Sequence, residues 1–402
     1  MANNRYTLLI DGNYFLFRTL FVNPSSRSGE LLADENSIAV FVRKLATDLT
    51  YQIRLFDGLI GNIVWAQDSK SWRKPFHPEL DYKGSRKKSN KVNWDNFQKA
   101  SESFTKVLAQ YGVSISKAEG AEGDDLVWAW SEKLINNGTS SIIFSGDRDL
   151  MQLIQRSGDN HILFYSPTHK NLSVPIGFNN WISNKEDDTN VDIFNMSSIS
   201  ENQSKQKLES VIKKKKIDPS ELDVETFKLN KVLTGDAGDN VPPVYTKIIA
   251  GKDGKERKYG VSDKKASKIV EEYSKKYSDL SISNLLAEDA CTYMANTIIK
   301  NLNIQDKTQD DIIESIKLNC KLMILSTDLV PSEVLEAMEA DITSNINNKT
   351  DLSKFKNMKS LLADSDFITK DLEMAHSSSF LKDAGDSDMS FITDAKQNSS
   401  LF

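Results

Sequence analysis

Carboxylate side chains form five short motifs along this 402-residue chain, and their residue types indicate chemistry on phosphate esters. The motifs contain Asp11 (LLIDGNYF), Asp68 (VWAQDSKS), Glu122, Asp124 and Asp125 (EGAEGDDL), Asp147 and Asp149 (FSGDRDL), and Asp236 and Asp239 (TGDAGDNVP). Any one of these residues alone is more often a turn or helix-capping residue than a ligand. The prediction therefore depends on whether the fold brings several of them together.

Carboxylates that a fold gathers at one place need cations in order to stay ionised. Two of them about 5 Å apart repel each other by roughly 3 kcal/mol at an effective dielectric near 20. Hard oxygen ligands of this kind select Mg²⁺ or Mn²⁺. Two such ions about 4 Å apart serve phosphodiester hydrolysis, because one generates hydroxide and both stabilise the attacking and leaving oxygens. We therefore expect two Mg²⁺ ions, which Mn²⁺ can replace.

Other kinds of active site find little support in the sequence. It has no Ser-His-Asp or Cys-His arrangement, and its four histidines (His77, His161, His169, His376) are scattered, as surface or packing residues are. Cys291 and Cys320 lie far apart, which excludes a disulfide framework or a zinc site and fits a reducing cytoplasm. No apolar run approaches the roughly 18 residues of a membrane span, and the N-terminus lacks a signal-peptide pattern. We expect a cytoplasmic protein without membrane contact.

Strand-length apolar runs precede three of the acidic motifs. They are YTLLI (6–10), NIVWA (62–66) and SSIIF (140–144), and the helix-length segments between and after them are 37–58, 96–112 and 124–138. Alternating strands and helices predict an α/β fold with a mainly parallel central sheet flanked by helices. Sites in such sheets lie beyond the carboxyl ends of the strands, which is where these acids fall.

The charge of −6 is unevenly distributed. Residues 364–402 hold eight acidic and three basic residues, which leaves the rest of the chain near −1. Basic residues cluster at 83–91, 213–216 and 247–258, as expected of an enzyme that binds phosphates. Composition predicts an α/β catalytic domain at 1–185, a helical duplex-binding region at 186–340, and a C-terminal extension at 341–402. The extension should be largely disordered from about residue 376.

Taken in order, the motifs resemble those of the flap-endonuclease/5′-nuclease superfamily. The segments that carry the resemblance are DSKSWRKPFHPELDYKGSRKK, EGDDL, SGDRDLMQL, YSPTHK, LTGDAGDNV and KLMILSTDLVPSEV, within about residues 5–335. In that superfamily the chain is most similar to the ribonuclease H (5′-nuclease) group of T-even-type bacteriophages. The resemblance implies a PIN/5′-nuclease-like fold with a two-metal site. It places Asp11, Asp68, Glu122, Asp124, Asp125, Asp147, Asp149 and Asp236 at metal-cluster positions, with Asp239 in the outer shell.

The same resemblance assigns groups that hold nucleic acid. A helical arch at about 75–95 would pass over the active site, with Lys83 and Arg86 stabilising the scissile phosphate. Tyr82 would stack on a base, and Lys87 would add a phosphate contact. A helix-three-turn-helix region would bind the duplex backbone through Lys264, Lys265 and Lys268. The usual Gly-rich turn of that region is replaced here by a longer basic insertion at about 242–260.

The resemblance implies 5′→3′ exonuclease and flap endonuclease activity that removes RNA primers and adjoining DNA from lagging-strand fragments in phage replication. The expected partners are DNA and RNA–DNA duplexes with 5′ ends or flaps. The protein itself is expected to be a monomer in the host cytoplasm. A single-stranded-DNA-binding protein and a sliding clamp are further expected partners, the clamp through Gln397, Leu401 and Phe402. A PIN-type ribonuclease and a non-catalytic nucleic-acid-binding protein are the alternatives.

Overall fold

The computed structural model describes two compact units. Unit 1 comprises residues 1–71, 87–221 and 333–402, and unit 2 comprises residues 72–86 and 222–332. Within these units the described residues are 6–22, 31–76, 78, 81–84, 86, 89–183, 196–250 and 256–355. The predicted clamp-binding residues Gln397, Leu401 and Phe402, the predicted phosphate contact Lys87, and the C-terminal extension beyond 355 lie outside them. Among the described residues, no helix has the length and apolar character that crossing a membrane requires.

Unit 1 is built on one eight-stranded sheet. Its strands are β1 (Tyr6–Asp11), β2 (Ile60–Ala66), β3 (Ser114–Ser116), β4 (Ser141–Phe144), β5 (Gln155–Ser157), β6 (Asn160–Ser166), β7 (Asn171–Pro175) and β8 (Pro219–Leu222). They lie in the order β3-β2-β1-β4-β6-β7-β8, and β5 pairs with β6. The pairs from β3 through β6 are parallel, whereas β5 and β7 run antiparallel to β6. The predicted mainly parallel sheet is therefore confirmed.

The three strands predicted from apolar runs become the centre of this sheet. β1 pairs with β2 on one side and with β4 on the other, so that Leu9 has Val64 and Ile143 as its partners. These strands are buried almost throughout, which explains why each reads as a continuous apolar run rather than an alternating one. Because the three run parallel, their carboxyl ends meet at one edge of the sheet.

Helices cover the sheet of unit 1. They are α1 (Gly12–Phe21), α2 (Glu35–Leu55), α3 (Trp94–Gln110), α4 (Gly123–Asn136), α5 (Phe178–Ser183), α6 (Met196–Lys215), α12 (Ser332–Asn345) and α13 (Leu352–Phe355), with a 3₁₀ helix at Arg148–Leu153. Side-chain caps fix several of their starts: Asp34 accepts from Ser37 N at 2.7 Å, and Asn93 from Asn96 N at 3.1 Å. The segments predicted to be helical at 37–58, 96–112 and 124–138 correspond to α2, α3 and α4.

Unit 2 is mainly helical and has its own hydrophobic core. Its helices are α7 (Val224–Thr234), α8 (Asp263–Ser274), α9 (Ile282–Leu285), α10 (Glu288–Leu302) and α11 (Gln309–Met323). Two antiparallel strands, β9 (Thr246–Ala250) and β10 (Glu256–Gly260), form a hairpin. Leu229, Ile269 and Ile298 are fully buried at the centre of this core. The described residues of the predicted arch tract contain a short 3₁₀ helix (Lys74–Phe76) and turns, and α3 begins only at Trp94.

The histidine on β6 is a packing residue. His161 is fully buried, and its ring lies 4.3 Å from that of Trp181 and 5.3 Å from that of Phe178. Burial, with a smaller contribution from Arg156, lowers the pKa of His161 to about 4, although Asp159 opposes the shift. The imidazole therefore stays neutral in the folded protein at neutral pH, which fits the predicted packing role.

This depressed pKa predicts a loss of stability in acid. In the unfolded chain His161 has an ordinary pKa near 6.5, so the unfolded state binds a proton first as the pH falls. The contribution of neutral His161 to the free energy of unfolding is therefore complete above about pH 6.5. As the pH falls from there to about 4, the free energy of unfolding should decrease by roughly 3 kcal/mol. Urea unfolding across that range should show this loss in the wild type and a smaller one in His161→Phe. Equal losses in the two proteins would contradict the assignment.

Candidate active site

Asp11 is the last residue of β1, and its side chain is buried, with 2% exposure. Its Oδ1 accepts a hydrogen bond from Tyr14 N at 2.9 Å and thereby caps α1. Its Oδ2 accepts from the Ser145 hydroxyl at 2.8 Å, immediately beyond the end of β4. The carboxylate is therefore held in one orientation by donors from its own strand end and from the adjacent one.

Asp68 lies two residues beyond β2 and is oriented from both sides. The Asn13 side-chain amide donates to Oδ2, and Gly123 N at the start of α4 donates to Oδ1 at 2.6 Å. A Cβ on Gly123 would lie 2.8 Å from Asp68 Oδ1, closer than side-chain carbons approach oxygen. The glycine within the EGDD motif thus permits the close approach between α4 and the Asp68 carboxylate.

The EGDD motif forms the first turn of α4. Glu122 precedes the helix, and its N–H donates to Asp125 Oδ2 at 2.9 Å, as in a capping box. Glu122 and Asp125 are 4% and 0% exposed, whereas Asp124 is half-buried. The positive end of the helix dipole favours three carboxylates at this position.

Asp147 and Asp149 lie in the turn that follows β4, and both are half-buried. Asp147 Oδ1 accepts from Asp149 N at 2.8 Å and caps the 3₁₀ helix. Asp147 N in turn donates to the Ser145 hydroxyl at 3.0 Å, the same hydroxyl that donates to Asp11. Ser145 therefore couples the carboxylate at the end of β1 to the backbone that carries Asp147.

The residues of unit 1 suit divalent cations. The adjacent ends of β2, β1 and β4, with the start of α4, supply seven carboxylates, at Asp11, Asp68, Glu122, Asp124, Asp125, Asp147 and Asp149. Asn13, Tyr14, Ser145 and Gly123 orient two of these carboxylates through neutral groups. Buried carboxylates such as Asp11 and Glu122 are stabilised by an ion pair or by a bound metal ion. An all-oxygen donor set favours Mg²⁺ or Mn²⁺ over softer metals.

Asp236 lies in a closed loop of unit 2 that follows α7. Its N–H and C=O pair with Val241 at 2.9 and 2.7 Å, and its Oδ1 accepts from Gly238 N at 2.7 Å. Burial raises the pKa of Asp236, but Lys231, 3.4 Å from Oδ2, and the loop N–H groups outweigh it, and the net pKa lies below the ordinary value. Asp236 is therefore a carboxylate at neutral pH.

Asp239 connects this loop to the tract predicted to begin the arch. Its carboxylate forms an ion pair with the Arg86 guanidinium, whose side chain is 8% exposed, and accepts from the Tyr82 hydroxyl at 3.3 Å. The Asp239 carbonyl accepts from Lys83 N at 3.0 Å, and Arg86 Nε donates to Gly238 O at 3.2 Å. Tyr82, Lys83 and Arg86 are thus all hydrogen-bonded to the acidic loop within unit 2.

The predicted nucleic-acid contacts occupy differing environments. Tyr82 is 6% exposed in a cluster with Val241, Leu322 and Met323, so its ring face is covered. Lys83 adopts a left-handed backbone conformation (φ 58°) with its ammonium over the Tyr82 ring. On α8, Lys264 and Lys268 are exposed, whereas Lys265 donates to Gly260 O at 3.0 Å.

Several residues that support the site were not predicted. In unit 1 these are Asn13, Tyr14, Ser145 and Thr168, the last of which pairs with the Tyr14 hydroxyl at 2.9 Å. In unit 2 they are Arg73, which donates to Leu322 O, and Asn319, whose amide donates to Val232 O and Pro242 O. Their adjacency to the motifs was a weak signal: Asn13 and Tyr14 follow Asp11, and Ser145 precedes the GDRD segment.

Comparison with known proteins gives one family and several distant relatives. Residues 6–175 match the family described as 5′-3′ exonuclease, N-terminal resolvase-like domain. DNA polymerase I of Caldicellulosiruptor bescii is 25% identical over 267 residues, which are 66% of this chain and 24% of the relative. Flap endonuclease Xni of Shewanella denitrificans is 30% identical over 150 residues, 37% of this chain and 53% of the relative. The 5′-3′ exonuclease of Buchnera aphidicola is 24% identical over 147 residues, 37% and 48% respectively.

The chain spans between about a quarter and about half of the length of these relatives. A solved structure described as divalent metal ions (zinc) bound to T5 5′-exonuclease is 16% identical to this chain. It aligns over 86% of this chain and 99% of that one, with a TM-score of 0.48.

Proposed function

Because this chain belongs to the flap-endonuclease/5′-3′-exonuclease superfamily, we propose that it is a divalent-metal-dependent 5′-nuclease. It hydrolyses phosphodiester bonds near the 5′ ends of DNA and RNA strands. The observation that carries the proposal is the position of seven carboxylates of unit 1 at the ends of the neighbouring strands β2, β1 and β4 and at the start of α4, where Gly123 N donates to Asp68 and Ser145 donates to Asp11. Such an all-oxygen set suits metal-assisted hydrolysis better than acyl transfer or acid–base catalysis by histidine.

In this proposal the carboxylates bind the metal ions either directly or as part of the surrounding shell. Asp11, Asp68 and Asp147 hold the ions directly, with Glu122, Asp124, Asp125 and Asp149 completing the shell. When bound, two Mg²⁺ ions supply the hydroxide nucleophile and stabilise the leaving oxygen. The protein contributes orientation: Ser145 and Tyr14 N fix Asp11, while Asn13 and Gly123 N fix Asp68. The sequence-based prediction also included Asp236 and Asp239, which lie in unit 2.

Lys83 and Arg86 are the proposed phosphate-stabilising cations. A guanidinium offers two parallel N–H groups to a phosphate, and an ammonium offers a compact charge. Arg86 is held by Asp239, which would fix its orientation before substrate arrives. Lys264 and Lys268 on α8 would contact the duplex backbone. Tyr82, buried in unit 2, supports this tract by packing rather than by stacking on a base.

The proposed biological role is removal of RNA primers and adjoining DNA from lagging-strand fragments during phage replication. Flap and RNA–DNA hybrid substrates would both be cut. A sliding clamp bound through Gln397, Leu401 and Phe402, and a single-stranded-DNA-binding protein, would be its partners.

A cleavage assay with two labelled substrates tests the proposal. The wild type should cut a 5′-flap duplex and an RNA–DNA hybrid in Mg²⁺ or Mn²⁺ and leave both intact in EDTA. Glu35→Gln, at an exposed first-turn residue of α2, serves as the matched control, and this variant should cut like the wild type. Cutting of single-stranded RNA alone would favour a PIN-type ribonuclease. Binding without cleavage of any of these substrates would favour the non-catalytic alternative.

A further inference from the structure

The β9–β10 hairpin of unit 2 presents apolar side chains beside cations. Within the described part of unit 2, the large hydrophobic side chains that are exposed are Ile248 (63%) and Ile249 (39%), both on β9. Their cross-strand partners on β10 are Lys258 and Arg257 respectively. A scattered exposed isoleucine needs no explanation, but two adjacent ones opposite basic residues on one hairpin are unusual.

The residues that flank the two strands attach the hairpin to the core of unit 2. Val261 N donates to Tyr245 O at 3.1 Å, and both side chains are buried in the unit 2 core. The Tyr245 hydroxyl donates to Asp306 at 2.7 Å. The ammonium group of Lys265, on α8, lies over the ring of Tyr259, on β10, 3.8 Å from the ring centroid. Lys265 also donates a hydrogen bond to Gly260 O. Lys265 therefore fixes the hairpin to α8.

The two faces of the hairpin consequently differ. Residues opposite each other on antiparallel strands point to the same face. The Lys247–Tyr259 pair is half-buried towards the unit 2 core, while the next pair along, Ile248–Lys258, points to the other face and is exposed. The described strands carry Lys247, Arg257 and Lys258 against a single acid, Glu256, a net charge of +2. The outward face thus combines an apolar side chain with positive charge.

We propose that this hairpin is a second contact for double-stranded nucleic acid, separate from the α8 lysines. Its five-residue strands, at about 3.4 Å per residue and about 4.8 Å apart, form a ribbon narrow enough for the roughly 12 Å major groove. Lys258 contacts a phosphate, and Ile248, on the same face, contacts the sugars and bases within the groove. The cations along the strands also disfavour pairing with a second copy of the chain. The inference rests on the proposed function for its substrate class.

The test is equilibrium binding by the full chain, with Ca²⁺ replacing Mg²⁺ to prevent cleavage. The probes are a DNA duplex of about two helical turns and one of its single strands, over a series of salt concentrations. For the duplex, Lys258→Gln should reduce the slope of log affinity against log salt by about one. Ile248→Ser should weaken duplex binding roughly fivefold without changing that slope. Neither change should alter single-strand binding.

Lys317→Gln is the matched control, because Lys317 is an exposed lysine on α11 of the same unit. It should bind both probes like the wild type. Wild-type duplex affinity and slope in both hairpin variants would overturn the inference, as would an equal loss on the two probes. If the wild type cut no substrate but the duplex-specific losses appeared, the hairpin contact would stand and only the nuclease proposal would fail. Two substitutions on opposite strands keep the test valid should one variant misfold.

Discussion

Asp147→Asn should reduce cleavage of a 5′-flap duplex on the order of 10³-fold or more, with substrate binding intact or tighter. Asp147 caps the 3₁₀ helix through Oδ1, and an asparagine oxygen can accept the same bond from Asp149 N. The fold should therefore survive. What the substitution removes is one negative charge at the end of β4, and with it affinity for the ion that supplies hydroxide. Less negative charge also repels incoming phosphates less.

Single-turnover cleavage in Mg²⁺ and equilibrium binding in Ca²⁺ check this expectation, with thermal melting to exclude misfolding. Asp34→Asn is a matched control, because Asp34 likewise caps a helix, α2, but is exposed and is not one of the seven carboxylates of the proposed site. It should cut like the wild type. A folded Asp147→Asn protein with near-wild-type turnover would reduce Asp147 to a capping residue and weaken the assignment of Asp149.

The central strands and the acidic motifs were predictable because both signals are local. Buried parallel strands appear as unbroken apolar runs, and the sheet rule places sites at their carboxyl ends, so Asp11, Asp68 and Asp147 could be predicted from neighbouring residues alone. The supporting contacts could not. Ser145 reaches Asp11 across 134 positions because β4 pairs with β1, and sequence patterns do not specify that pairing.

In unit 2, even less of the structure could be predicted from local sequence patterns. The basic insertion at 242–260 was recognisable as a departure, but its short strands, TKIIA and ERKYG, gave too little alternation to predict a hairpin. The environment of Tyr82 was also hidden, because the residues that bury its ring lie at 241 and 322–323. Long-range packing of this kind decides whether an aromatic side chain near a basic tract is available for stacking.

The ion pair between Arg86 and Asp239 should couple strongly in a double-mutant cycle. Both side chains are largely buried, at 8% and 17% exposure, and they join segments more than 150 residues apart in sequence. Removing one partner leaves an uncompensated charge, so Arg86→Ala and Asp239→Ala should each destabilise the loop by about 3 kcal/mol. The double variant should cost little more than either, which gives a coupling of about 2–3 kcal/mol. The pair would then hold Arg86 in position for a phosphate.

Native-state hydrogen exchange of the 236–241 segment is the appropriate measurement, because Val241 N donates to Asp236 O at 2.7 Å within the loop that Asp239 anchors. The control cycle uses Lys275 and Glu271, an ion pair whose side chains are both 70% exposed and whose coupling should not exceed about 0.5 kcal/mol. Coupling at Arg86–Asp239 as small as in the control would show that the loop holds its conformation without Arg86. Arg86 would then be available to a phosphate from the outset, and its orientation would have to come from the substrate rather than from Asp239.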